Sequence, residues 1–174
     1  MKTENLIITV FAQDQPGLLQ ILSDTIKEYD GNWLESCLTR MSGLFVGILN
    51  IEIEQKKKTM LFKALDSLSE QGLDVTVRAD VKLVNDTELV EAVEVLVEAN
   101  DRPGIVEEIA NALTTVDANI EQMETSCESA SMAGYQLFQA RLVVTLPDSF
   151  SVEKLEDALQ NVSDDLIVSI IEKE

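Results

Sequence analysis

Two short stretches carry the residue types able to grip a small charged ligand: Asp14-Gln15-Pro16-Gly17 and, eighty-seven residues later, Asp101-Arg102-Pro103-Gly104. Each follows an apolar strand-like segment, Leu6 to Ala12 in the first copy and Val93 to Ala99 in the second. Each then opens an amphipathic stretch, with Leu18, Leu22, Ile26 and Tyr29 matched at constant offset by Ile105, Ile109, Leu113 and Val116. That spacing is one stripe of a helix with 3.6 residues per turn. Proline suits the first helical position, because its fixed φ is near helical and its missing N–H has no partner there anyway. Glycine beside it lets a backbone or ligand come close. The aspartate is expected to cap the helix and to favour the positive end of its dipole. A helix start with free N–H groups holds a carboxylate well. One copy alone is no more than a good strand-to-helix turn; two in register mean a repeated fold.

Catalytic chemistry has few carriers. There is no histidine, which removes the commonest general base, the usual nucleophilic triads and most transition-metal sites. Cys37 and Cys127 are not at equivalent repeat positions and form neither a CxxC pair nor a metal cluster, so they read as free thiols and no cofactor is expected. Thirteen basic against thirty-two acidic residues give a net charge of −19. Such a field repels phosphate backbones, and DNA affinity depends on Lys and Arg neutralising them. The basic run Lys56-Lys57-Lys58 is short and reads as a solvated loop. Met1-Lys2-Thr3-Glu4 runs into a strand without an apolar leader, and no stretch reaches the roughly eighteen apolar residues of a membrane span, so a cytoplasmic protein is expected.

The elements that position the two stretches follow in order. After the first strand and helix, Tyr29-Asp30-Gly31 ends the helix, with the glycine expected in the left-handed conformation. Trp33 to Met41 and Phe45 to Ile53 form a hairpin turned at Ser42-Gly43. Leu61, Leu65 and Leu68 mark a second helix closed by Gln71-Gly72, and Leu73, Val75 and Val77 alternate as a fourth strand. Residues 84–88 are a short polar connection. The second half repeats the order: a strand at 90–99, a helix at 104–116, strands at 119–127 and 135–145, a helix with Leu155, Leu159 and Val162, and a strand from Leu166 to Ile171. The extra residues of the second copy fall in a longer hairpin loop, Glu128 to Gly134, and near Pro147 to Ser151. The sequence therefore predicts an α+β protein of two ferredoxin-like domains, 1–84 and 89–174. Each has βαββαβ order, with a four-stranded antiparallel sheet carrying two helices on one face.

The Asp-X-Pro-Gly junction, with Asn119-Ile120-Glu121 opening the second strand of the second repeat, resembles an ACT domain. The first copy departs from the pattern, with Gln15 for arginine and Asn32-Trp33-Leu34-Glu35 in place of Asn-Ile-Glu. Two units in tandem, covering nearly the whole chain, resemble the glycine cleavage system transcriptional repressor family. The resemblance implies a regulator responsive to small molecules, commonly amino acids, bound near the junction at an interface between ACT units. It also implies action through a protein partner, rather than direct DNA binding or catalysis. In such a site Gly17, Leu18, Gly104 and Ile105 supply N–H groups to a ligand carboxylate, and Asp14 or Asp101 pairs with its ammonium. Asn32 and Asn119 either add side-chain hydrogen bonds or are turn residues tolerating a left-handed backbone. Trp33 reads as a core or interface anchor, and Glu35 and Glu121 as solvated strand residues. Small apolar or polar amino acids, glycine among them, suit loops whose one basic side chain is Arg102. The sheets leave unpaired edges, from which at least a homodimer is expected. The alternative is a ligand-independent ACT module for interaction or oligomerisation.

Overall fold

The computed structural model describes residues 2–79, 92–129, 136–147 and 151–171. The connection at 84–88 and most of the two second-repeat insertions lie outside these residues. The chain divides into two compact units, Met1–Asn85 and Asp86–Glu174. The first holds β1 (Thr3–Gln13), α1 (Leu18–Glu28), β2 (Asn32–Met41), β3 (Leu44–Glu54), α2 (Lys58–Asp66) continued by a 3-10 turn (Ser67–Gln71), and β4 (Leu73–Ala79). The second holds β5 (Ala92–Asn100), α3 (Ile105–Thr115), β6 (Asn119–Ser129), β7 (Gln136–Thr145), α4 (Val152–Gln160) and β8 (Ile167–Ile171). Each unit has one antiparallel sheet, ordered β2-β3-β1-β4 and β6-β7-β5-β8.

Period-two alternation sends one face of each sheet under the helices. Leu6, Ile8, Val10 and Ala12 of β1, with Leu49, Ile51 and Ile53 of β3, are buried against Leu18, Leu22 and Ile26 of α1 and Leu61 and Leu65 of α2. In the second unit Val95, Val97 and Ala99 join Phe138, Ala140, Leu142 and Val144 under Ile105, Ile109, Leu113, Leu155 and Leu159. No charged or polar residue is buried among the described residues, so both cores rest on aliphatic packing. Leu68 is buried too, although it sits in the 3-10 turn rather than on a continuous α-helix.

The helix end at Tyr29 differs from the expectation. Asp30, not Gly31, takes the left-handed conformation, with φ 57°, and Asp117 repeats it at φ 52°. A short polar side chain tolerates that conformation. Gly31 is needed for closeness, since a Cβ there would lie 2.7 Å from the Ile26 side chain. Both sheets also carry a register shift near the start of the hairpin, between Trp33 and Glu35 and between Ile120 and Gln122. The bulge residues are thus Leu34 and Glu121.

Leu22 and Ile109 are both fully buried. Leu22→Ala and Ile109→Ala are each expected to cost about 2–5 kcal/mol, read as a shift in the denaturation midpoint. A negligible shift for both would contradict the helix registers.

Candidate functional site

The strand-to-helix junctions sit at the end of each sheet where the hairpin turns. The Asp14 N–H donates to the Gly43 carbonyl at 2.9 Å, and the Asp101 N–H to the Gln136 carbonyl at 2.8 Å. Each loop is thereby tied to the β2–β3 or β6–β7 hairpin of its own unit. Gly17 and Gly104 are the N-cap residues, at φ 95° and 92°. Side chains rarely adopt that left-handed region, so glycine is there for its backbone. A Cβ at either would meet nothing within 4 Å, so the space in front is open.

Two expectations about the turn give way. Pro16 and Pro103 stand before the cap, not at the first helical position, because the left-handed glycine must intervene to swing the chain from sheet to helix layer. Neither helix has a side-chain cap, so Asp14 and Asp101 do not cap. The first intrahelical bonds are Ile21 N–H to the Gly17 carbonyl and Glu108 N–H to the Gly104 carbonyl, both 3.0 Å. Helix geometry leaves the amides before them without an intrahelical acceptor. Leu18 and Ile105 open the helices with their side chains buried in the core, so what they offer outward is backbone.

The two loops differ in what their aspartates meet. Asp14 pairs with Arg40, its carboxylate 2.6 Å from Nε. The residue eighty-seven positions after Arg40 is Cys127, and there the Asp101 carboxylate faces a thiol instead. Partial desolvation, reinforced by the Asp101 charge and hydrogen bond, raises the Cys127 thiol above its usual range. The second position also diverges. Arg102 forms a bidentate pair with Glu108, at 2.7 and 2.6 Å. That hydrogen-bonded pair holds Glu108 below the ordinary carboxylate range and raises Arg102. The first unit has Gln15 and Ile21 at these places, so nothing comparable forms. Among the described residues no cation pairs with Asp101, whereas Asp14 already holds the Arg40 guanidinium. Arg40 and Cys127 were missed in the sequence although the repeat offset that aligns them was visible.

The asparagines lie elsewhere in each unit. Asn32 is opposite Glu52, which is opposite Asn5, and Asn119 is opposite Thr145 and so level with Ala92. The junctions follow Gln13 and Asn100, eight residues further along the central strands, or about 26 Å away at the rise of a strand. Within one unit, Asn32 and Asp14 do not share a site, nor do Asn119 and Asp101. Asn119 instead donates to Glu121 at 2.6 Å, whose carboxylate also accepts from Thr145. Among the described residues no His, Cys, Asp and Glu cluster could hold a metal ion, and no helix is long and apolar enough to cross a membrane.

Residues 4–79 match the ACT domain family model. No curated protein matches the chain. Two solved structures align over nearly its full length. One is an unknown protein from Galdieria sulphuraria, 24% identical, with a TM-score of 0.81 over 97% of this chain and 98% of that one. The other is provisionally named a glycine cleavage system transcriptional repressor, 16% identical, with a TM-score of 0.74 over 99% of this chain and 100% of that one. At these identities the likeness is one of fold.

The Asp101–Cys127 contact is directly measurable. Removing the carboxylate charge stabilises the thiolate relative to the thiol, so Asp101→Asn is expected to lower the Cys127 pKa towards the ordinary range. The rate of alkylation against pH, in a Cys37→Ser background, reports it. An unchanged profile would show that the carboxylate does not face the thiol.

Proposed function

With its first unit an ACT domain and its second repeating that fold, we propose that this chain is a non-catalytic regulator that senses a small α-amino acid. The observation that carries the reading is the pair of open, hairpin-tied helix starts, each with an aspartate beside it. An α-amino acid presents a carboxylate and an ammonium a few ångströms apart. Uncapped helix amides suit the first and the aspartate the second. Of the two loops the second is favoured, because Arg40 competes with any ammonium for Asp14. Arg40 is largely exposed, so its pair with Asp14 is of the weak surface kind and lowers affinity rather than abolishing it.

The finer reading is a transcriptional corepressor of the glycine cleavage system, acting in the cytoplasm as a homodimer through a protein partner. The full-length likeness in fold supports the class. Charge supports the route through a partner. The chain carries −19, and its one basic run is neutralised in place, Lys56 by Glu54, Lys57 by Asp30 and Lys58 by Glu4. Among the described residues no basic stripe remains to track a phosphate backbone. The purified chain is accordingly expected to leave duplex DNA unshifted at physiological salt. A sequence-dependent shift without a partner would overturn that part.

Calorimetric titration with glycine, serine, alanine and leucine tests the sensor. Asp101→Asn is expected to weaken binding by about 1.5–3 kcal/mol, the worth of a charge-assisted hydrogen bond. Arg40→Ala is expected to strengthen binding at the first loop modestly. Gly104→Val forces a branched residue into the left-handed region and is expected to lose binding together with some stability. If folded wild-type protein gives neither heat nor thermal shift with any of the four, the sensor reading falls and an interaction module takes its place.

A further inference from the structure

The helix-free face of the first sheet differs from that of the second on its two central strands. Ladder pairing sets its rows: Glu35, Asn50, Ile7 and Arg78 across one, Cys37, Ile48, Thr9 and Thr76 across the next, Thr39, Val46, Phe11 and Asp74 across a third. Ile48 and Phe11 are 47% and 48% exposed, and a hollow of about 210 Å³ lies among Ile7, Glu35, Cys37, Ile48 and Asn50. The matching face of the second unit has bonded polar pairs on its two central strands beside Leu96, with Ile167 and Ile171 exposed on its β8 edge. Arg141 bonds Glu94 at 2.8 Å and Gln139 bonds Glu98 at 2.6 Å, where the ladders of the first unit place Ile48, Ile7, Val46 and Phe11. The charge is as unevenly divided. Met1–Asn85 carries nine basic and twelve acidic residues, and Asp86–Glu174 four and twenty.

We propose that this face of the first unit is a dimerisation surface whose occupant is the same face of a second copy of the chain. Sheets stack face to face about 10 Å apart with strands within roughly 30°. A two-fold axis along the strands, between β1 and β3, exchanges the two edges of the sheet. It carries Glu35 of each copy over Arg78 of the other, and Ile7 of each over the Asn50 end of the hollow. Glu35 and Arg78 are exposed and make no ion pair among the described residues, so both are available. The packing angle displaces the outer strands by about one residue, within reach of these long side chains. Four strands and about ten residues of length give a face of roughly 600 Å², so the pair buries roughly 1,200 Å², the lower end of specific interfaces. The near-neutral first unit tolerates its own copy, whereas two second units would repel. The surface does not depend on the ligand reading above; it gives that reading's homodimer an address.

Sedimentation equilibrium of the full chain tests it, with circular dichroism as the fold control. Wild type is expected to be a dimer. Ile48→Asp, at a half-exposed position, is expected to give a folded monomer. Arg78→Glu places like charges opposite one another and is expected to weaken association about tenfold or more. Adding Glu35→Arg to it restores the complement and should recover the dimer. That charge-swap pair decides the matter even if Ile48→Asp does not fold. A wild-type monomer at micromolar concentration overturns both the surface and the dimer. A dimer indifferent to Ile48→Asp and Arg78→Glu overturns the surface and leaves the dimer to the strand edges.

Discussion

The left-handed glycine at each strand-to-helix junction is the constraint from which the site follows. A chain leaving the central strand must rise out of the sheet and reverse along it, within four residues. Gly17 and Gly104 do this at φ values that other residues rarely adopt. Because the residue is glycine, the helix start carries no side chain in front of its amides. Because the turn is tied through the Asp14 and Asp101 amides to the neighbouring hairpin, it is held by the sheet. The anion-receptive helix end is therefore a consequence of how the fold turns its corner.

What occupies the neighbourhood separates the two copies. Both units share one backbone plan, with matched strand order, glycine caps on α1 and α3 and left-handed Asp30 and Asp117. Their side chains differ at the positions that touch the junction. Arg40 answers Asp14, Cys127 answers Asp101, and Arg102 closes on Glu108 where the first copy has Gln15 and Ile21. Glu108 is depressed, so its bond with Arg102 contributes stability above its unfolded pKa and loses it as pH falls through the folded value. Being only half-buried, the pair matters more for the shape of the loop than for the stability of the fold.

Sequence reading recovered the elements because two periods, 2.0 in strands and 3.6 in helices, repeat in register eighty-seven residues apart. The buried residues of α1 and α3 are the stripe the spacing predicted. Proline's φ fits the first helical position, yet Pro16 and Pro103 stand before it because the following glycine must turn left-handed first. Gly31 is glycine for packing against Ile26, while the left-handed residue is Asp30. Motif puts Asn32 beside Asp14, while strand direction sends them to opposite ends of the sheet within one unit. Local rules give residue types; only the ladder register says which of them meet.

The same register gives the division of labour between the units a physical form. A sheet with helices on one side has a second face that must be either polar or covered. The second unit takes the first course on its central strands, with Glu94, Arg141, Glu98 and Gln139 bonded there, most of the negative charge of the chain in the same unit, and Ile167 and Ile171 left exposed on the β8 edge. The first unit keeps Ile7, Ile48, Val46 and Phe11 there and stays close to neutral. The unit with the more accessible aspartate is thus the one least suited to self-association. The unit whose aspartate is engaged by Arg40 has the face suited to it. On the proposed reading, sensing and assembly fall to different copies of one fold, so either can be altered by substitution without first disturbing the other.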